Sequence, residues 1–484
     1  MISFSLFLIP LNYAVGDPAR AEGDTWFSSA SGTSMECSRS HPGTLKYCVE
    51  IKAQSGDTVY VREGTYQPTT SADNLLHIKD SLHLIGSCTW DEMDATVPIV
   101  CNPQNEIPAL TSSYLDGNNQ KRIIAIEGSG IDVTVEGFYI MEGNADGKLP
   151  NPTGVLGAGG GIYASDVQSL VIKNNFFFQN HANKTGTMLC DNGLGGGIYA
   201  HSVDQLLIHH NTINFNSAAT PASTSAGGGI YVASSGDEGG VRISSNLING
   251  NRVGNNDYSC GAGAYLSDIT GLTLSENIFE FQNSIHKYWI KGSALDVGWV
   301  SEGASIFGNT FKDNYGSSII EFNSYYGTFS RNQVWNNSAF YDLWINEANE
   351  IQLTNNFFGK LLGWTSSSSL AQPNPRGGIS TLIYIGQGCE APVVDILNNT
   401  FGYAEYAVQI DDLVEVEIQR NIFAYQSKKA IDIMNPANTN VTVSENLFWD
   451  NAEDGETGAT FWSGDPLMVA PILGDFHLQA GSAA

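Results

Sequence analysis

Gly195-Gly-Gly-Ile-Tyr-Ala-His-Ser-Val-Asp-Gln-Leu-Leu-Ile-His-His-Asn-Thr-Ile-Asn-Phe-Asn216 contains the two phrases on which the reading of this chain turns. The closing phrase is an Asn, any residue, an apolar residue and a second Asn three positions on. It returns at Asn175-x-Phe177-x-x-Asn180, Asn246-x-Ile248-x-x-Asn251, Asn309-x-Phe311-x-x-Asn314, Asn332-x-Val334-x-x-Asn337 and Asn446-x-Phe448-x-x-Asn451, with shorter copies at Asn277, Asn356, Asn399 and Asn421. Successive copies lie 36, 35, 31, 32, 23, 24, 43, 22 and 25 residues apart. Such self-similarity signals a solenoid whose unit of about 22 residues carries insertions of variable length.

The apolar pattern inside each unit decides between helix and strand. Leu170-Val-Ile-Lys, Val241-Arg-Ile-Ser, Leu272-Thr-Leu-Ser and Val441-Thr-Val-Ser mostly alternate apolar with polar residues, and no 3.6-residue period appears. Each unit is therefore one coil of short strands. The opening phrase recurs as Gly159-Gly-Gly-Ile-Tyr163, Gly227-Gly-Gly-Ile-Tyr231 and Gly261-Ala-Gly-Ala-Tyr265, with glycine for positive φ or close backbone approach and Ile directed inward. Coils stacking about 4.8 Å apart would bring the asparagines into a ladder of amides bonded along the axis. Phe177, Phe279, Phe311, Phe358, Phe401, Phe423 and Phe448 would stack beside it. About 13 coils give a body roughly 60 Å long.

Together these phrases resemble the right-handed parallel β-helix family of pectate-lyase-like secreted proteins. Pro42-Gly-Thr44 and Gly56-Asp-Thr-Val-Tyr-Val-Arg-Glu-Gly-Thr-Tyr66 are similar to that family's opening segment, and Asp465-Pro-Leu with Gly474-Asp-Phe-His-Leu-Gln-Ala-Gly-Ser482 to its closing one. The expected architecture is all-β: a single-stranded right-handed parallel β-helix with loop insertions and an N-terminal cap. Residues 1–21 read as a secretion signal, 22–66 as cap and first strand, and 67–484 as the β-helix. The family's catalytic phrases do not accompany the fold: Asn-Thr-Asp, Gly-His-Gly, Arg-Ile-Lys and Asp-Pro-His-Glu are all missing, and Asp411-Asp412 is the sole adjacent Asp pair. A shared fold does not carry an activity with it.

Charge and cysteine content bound the partners. Twenty-two Lys and Arg against 50 Asp and Glu give a formal charge of −28, which excludes nucleic acid as the main partner. Seven cysteines without a Cys-x-x-Cys phrase suggest disulfides in an oxidising compartment, with Cys37–Cys48, Cys88–Cys101 and Cys190–Cys260 as pairs and Cys389 left over. The apolar run Ile2 to Val15 ahead of Ala19-Arg-Ala21 fits an export signal, is too short and broken to span a bilayer, and no other segment is long enough to do so.

Chemistry is expected where insertions rise over one exposed sheet. The longest are 141–158, 181–194, 217–226 and 359–377. Tyr288, Trp289, Trp299, Tyr325, Tyr326, Trp335, Tyr341 and Trp344 crowd into three consecutive coils and are candidates for stacking on sugar rings; the alternative is ordinary packing. Lyase chemistry on a uronate needs a base beside a neutralised carboxylate, for which Lys287, Arg331 and Asp342 are candidates, whereas hydrolysis needs two carboxyl groups. Asp450, Asn451, Glu453, Asp454 and Glu456 form a dense set of oxygen ligands that would suit calcium, without EF-hand spacing. Two readings follow: an exported or cell-surface protein that binds a polysaccharide or self-associates along its axis, or a polysaccharide lyase or glycoside hydrolase with a diverged site.

Overall fold

The computed structural model describes residues 23–68, 74–101, 112–145, 157–182, 193–218, 225–236, 239–254, 259–284, 292–346, 349–360, 380–386, 393–411, 414–435, 437, 440–470 and 475–482. They form a stack of coils with three faces. Face one carries the segment after each glycine phrase, face two the alternating segment, and face three the Asn-x-Phe segment. Nearly every pairing is parallel and in register: Ile198 lies between Ile162 and Ile230, and Phe401 between Phe358 and Phe423. Among the described residues face three holds 14 strands, ten of them at the asparagine copies and four at Gly64–Tyr66, Ser113–Asp116, Phe138–Met141 and Phe461–Ser463.

The corners explain the phrases. Strand Ile198–His209 covers faces one and two and bends at Ser202, where φ is 53°. The chain turns onto face three at His210 and leaves it at Phe215, both left-handed (φ 54° and 53°), and each is followed by an asparagine of the closing phrase. A left-handed residue costs stability unless the turn is over-determined. Here the following asparagine supplies the bonds. Asn211 Nδ2 donates to Ile172 O at 2.8 Å and to Asn246 Oδ1 at 3.0 Å, while the Asn211 amide N–H donates to the same Oδ1 at 2.9 Å. That pattern runs unbroken from Asn175 through Asn277, Asn309, Asn332, Asn356, Asn399 and Asn421 to Asn446. A second spine runs from Asn180 through Asn216, Asn251, Gln282 and Asn314 to Asn337.

Inside, the phenylalanines stack as expected, Phe401 and Phe423 at 4.8 Å and Phe279 and Phe311 at 4.9 Å. Where Val334 interrupts the column, Phe329 of face two fills the gap, 6.2 Å from both Phe311 and Phe358. Gly195 (φ 62°) opens face one, and a Cβ there would lie 2.2 Å from Ile198 O.

A short helical segment, Leu45–Lys52, closes the first coil with Leu45 and Val49 in the core. Its Cys48 is bonded to Cys37, and Cys88 to Cys101. Cys260 is disulfide-bonded to a partner outside the described residues, where Cys190 and Cys389 lie. Residues 1–21 also lie outside them. At the other end, Met468–Ala470 and Asp475–Leu478 form an antiparallel hairpin instead of another coil. No helix among the described residues is long and apolar enough to cross a membrane.

Candidate functional site

Three of the four long insertions leave face three and return to face one at matching heights, since Ala158, Leu194, Ala226 and Cys260 bridge one another in sequence. These four residues lie over an outward column of tyrosines. Tyr163, Tyr199, Tyr231 and Tyr265 stack with ring centroids 5.1, 5.1 and 5.3 Å apart. Arg122 places its guanidinium 4.6 Å from the Tyr163 ring and donates to Ala158 O at 2.8 Å. Tyr163 and Tyr199 are 1% exposed, so the floor beneath this rim is closed packing. The insertions themselves, apart from their ends, lie outside the described residues.

The same outward column changes chemistry below Tyr265. Its register partners are, in order, Asp296, Glu321, Trp344, Tyr384, Gln409 and Asp432. Asp296 and Glu321 are both buried, and occupying adjacent strands puts their Cα atoms about 4.8 Å apart. Just past the paired residues Phe322, Ile345, Ile385 and Ile410 come Asn323, Asn346, Gly386 and Asp411. Asn323 Nδ2 donates to Glu321 Oε1 at 3.1 Å, and Tyr384 Oη donates to Asp411 Oδ2 at 2.7 Å. Tyr341 stacks on Tyr384 at 4.5 Å, and Trp344 meets Tyr384 edge-on at 6.2 Å. Burial, then the Asp411 carboxylate, raises the Tyr341 phenol above its ordinary pKa. A Cβ on Gly386 would come within 3.1 Å of Tyr384 and 3.4 Å of the Trp344 Nε1, so glycine leaves room for both rings. Flat aromatic surface beside carboxylates and amides suits a sugar: the rings cover C–H faces and the polar groups bond hydroxyls.

The eight aromatics expected to form one platform divide among different surfaces, because strand alternation and corner positions send neighbours in sequence to different faces. Tyr341 and Trp344 are on face one. Trp299, Tyr325 and Tyr326 sit at the corner between faces one and two, with Trp299 and Tyr325 5.5 Å apart edge-on and Trp299 54% exposed. Trp335 is on face three, paired with Lys312 and Gly359. Tyr288, Trp289 and Lys287 lie outside the described residues.

Arg331 and Asp342 are not brought together. Arg331 occupies a left-handed turn (φ 55°) between faces two and three, its guanidinium 5.4 Å from the Phe307 ring. Asp342 is fully buried, aligned with core residues Ile319 and Leu382, which directly precede the paired Ile320 and Ile383. Its carboxylate accepts from Lys360 Nζ at 3.1 and 3.4 Å, and Lys360 also donates to Asn337 O at 2.6 Å, at the foot of the second spine. Burial lifts the Asp342 pKa to about 6 against the pull of Lys360. A substrate on the surface does not reach it.

The suggested calcium ligands also point to separate tasks. Asn451 Oδ1 accepts from the Gln426 N–H and its Nδ2 donates to Phe423 O and Asp454 Oδ1, so it continues the spine pattern. Asp450 holds the left-handed corner before it, and Glu456 accepts from the Gly458 N–H. Glu453 lies on the last face-one strand. Among the described residues no three His, Cys, Asp or Glu converge as a metal site.

Residues 110–279 match the family model described as a right handed beta helix region. The protein is a right-handed parallel β-helix. No curated protein matches the chain. Among solved structures, this β-helix is similar to a mannuronic acid specific polysaccharide family 6 lyase enzyme from human gut microbiota, at 13% identity and a TM-score of 0.34, covering 92% of this chain and 87% of that one. A rhamnogalacturonan lyase is matched at 14% identity and a TM-score of 0.25, over 91% and 87%.

Asp296, Glu321, Tyr384 and Asp411 were not singled out from the sequence as one group. A signal existed: Gly292-Ser-Ala-Leu-Asp296 reads in the phase of Gly261-Ala-Gly-Ala-Tyr265, with Gly292 again left-handed (φ 52°).

Proposed function

We propose that this β-helix is an exported or cell-surface protein that binds a neutral glycan along face one, between Asp296 and Asp411. The observation that carries the reading is the joined set of Tyr341, Trp344 and Tyr384 beside the Asp296–Glu321 step. Lys428 and Lys429, at the far end of the face, are paired with Glu405 and Asp432. Asp411, half-buried beside Tyr384, sets a carboxylate on this surface that repels a uronate polymer, so a neutral chain is the better fit. The two disulfides among the described residues, with the bonded Cys260, suit an oxidising compartment.

Affinity electrophoresis through gels cast with neutral or uronate polysaccharides tests this. Retardation by a neutral polymer is expected, weakened about tenfold by Trp344→Ala or Tyr384→Ala, in line with the loss of one sugar-stacking ring. Retardation by uronate polymers alone, or unchanged mobility of both well-folded variants, would sink the proposal.

A further inference from the structure

The corner between faces two and three carries an open cavity of about 410 Å³ that plays no part in the face-one reading. Its wall is built from left-handed turn residues at one position in successive coils: Arg331, Asn355 and Asn398, with φ of 55°, 57° and 58°. Each immediately precedes a spine asparagine, so the backbone is held while these side chains face the cavity. They follow one another at the rise of one coil, about 4.8 Å. Phe357 contributes an aromatic ring, and His477, from the C-terminal hairpin, lines the cavity as well.

One cation at this corner stands without a carboxylate. Lys173, Lys312, Lys360, Lys428 and Lys429 each lie within ion-pair distance of a carboxylate. Arg331, like Arg242 and Arg252, forms no ion pair among the described residues, and its guanidinium lies against the Phe307 ring. On a chain of formal charge −28, a guanidinium without a carboxylate, opening on a cavity with two amides, presents planar donors to an anion.

We infer that this cavity is a second saccharide site, specific for a carboxylate-bearing sugar. Arg331 takes the carboxylate, Asn355 and Asn398 bond ring hydroxyls one rung at a time, and Phe357 covers a C–H face. The volume falls in the range of small-ligand sites. The inference stands apart from the face-one proposal, since it uses different residues and an anionic instead of a neutral ligand.

Titration calorimetry of the full chain with glucuronic acid, and with glucose as the neutral comparator, provides the test. Saturable binding of glucuronic acid at least about tenfold tighter than glucose is expected, reduced about tenfold by Arg331→Gln. Asn355→Gly and Asn398→Gly remove the amides without straining a left-handed turn, and each should weaken binding while circular dichroism stays unchanged. Trp344→Ala should leave glucuronic acid binding intact. Equal affinity for glucose, an absence of saturable binding, or an unaltered Arg331→Gln variant overturns the inference. Loss of binding in Trp344→Ala with none in Arg331→Gln places the anion on face one and overturns it equally.

Discussion

A single buried asparagine shows why this chain needs amides and not carboxylates. Asn309 Nδ2 donates to Leu274 O at 2.9 Å and to Asn332 Oδ1 at 3.0 Å, while its own Oδ1 accepts from the Asn277 N–H at 2.9 Å. Aspartate has nearly the same shape and no donor. Asn309→Asp would set a carboxylate against a carbonyl and an amide oxygen with no water to screen them. A loss of at least about 2 kcal/mol is expected, read as a lowered urea midpoint at pH 7. Acid should partly rescue it, because a protonated carboxyl regains one donor. A variant as stable as the parent would show that the spine bonds contribute little.

At the scale of elements, the end of the second spine is the informative place. The spine position held by Asn180, Asn216, Asn251, Gln282, Asn314 and Asn337 passes in the sequence to Leu361, and Lys360, paired with Asp342, donates to the carbonyl of Asn337. The folded-state pKa of Asp342 is about 6 against an ordinary 3.8, because burial disfavours the carboxylate more than Lys360 favours it. Between those values the folded chain keeps a proton that the unfolded chain has released. The stabilisation is therefore full below about pH 4 and is lost as pH rises through 6, by about 3 kcal/mol. Asp342→Asn cannot titrate, so its stability relative to the parent should move in its favour by up to that amount from pH 4 to pH 7. Unfolding midpoints measured across that range check it, and a constant difference would rule it out. Glu136 works in the opposite sense and at lower pH. Burial pushes its pKa up, but His83, Lys173 and Asn174 outweigh that and hold it at about 2, so its contribution is full above about pH 4.5 and is lost progressively as pH falls to about 2.

For the whole molecule, the repeat makes length adjustable in units of one coil. Asn309 and Asn332 are 23 residues apart and bonded directly, and the strands between them contact mainly their neighbours above and below. Deleting residues 310–332 joins Asn309 to Gln333, preserves the phrase Asn-x-Val-x-x-Asn and puts Leu295 opposite Leu343. A folded chain with unchanged strand content by circular dichroism is expected, since stability in such arrays is roughly a sum over neighbours. Deleting only residues 310–320 breaks the register and should leave the chain aggregated or unfolded.

The recurrent asparagine, the stacked phenylalanine and the glycine phrase specified the coil by themselves, because each meets a need that arises once per turn: paying for a left-handed corner, filling the axis, or letting backbone pass. The paired rungs followed from the spacing of those residues alone. The candidate site was less legible. Tyr341, Asp342 and Trp344 are almost adjacent, yet the corner at the start of face one turns Asp342 into the core while Tyr341 and Trp344 stay on the outside. Asp296, Glu321 and Tyr384 are separated by tens of residues and become neighbours only through register across insertions of unequal length. Local repetition determines a rung because its bonds lie one coil away; what shares a face depends on how the intervening chain is counted out, and only the stacked structure performs that count.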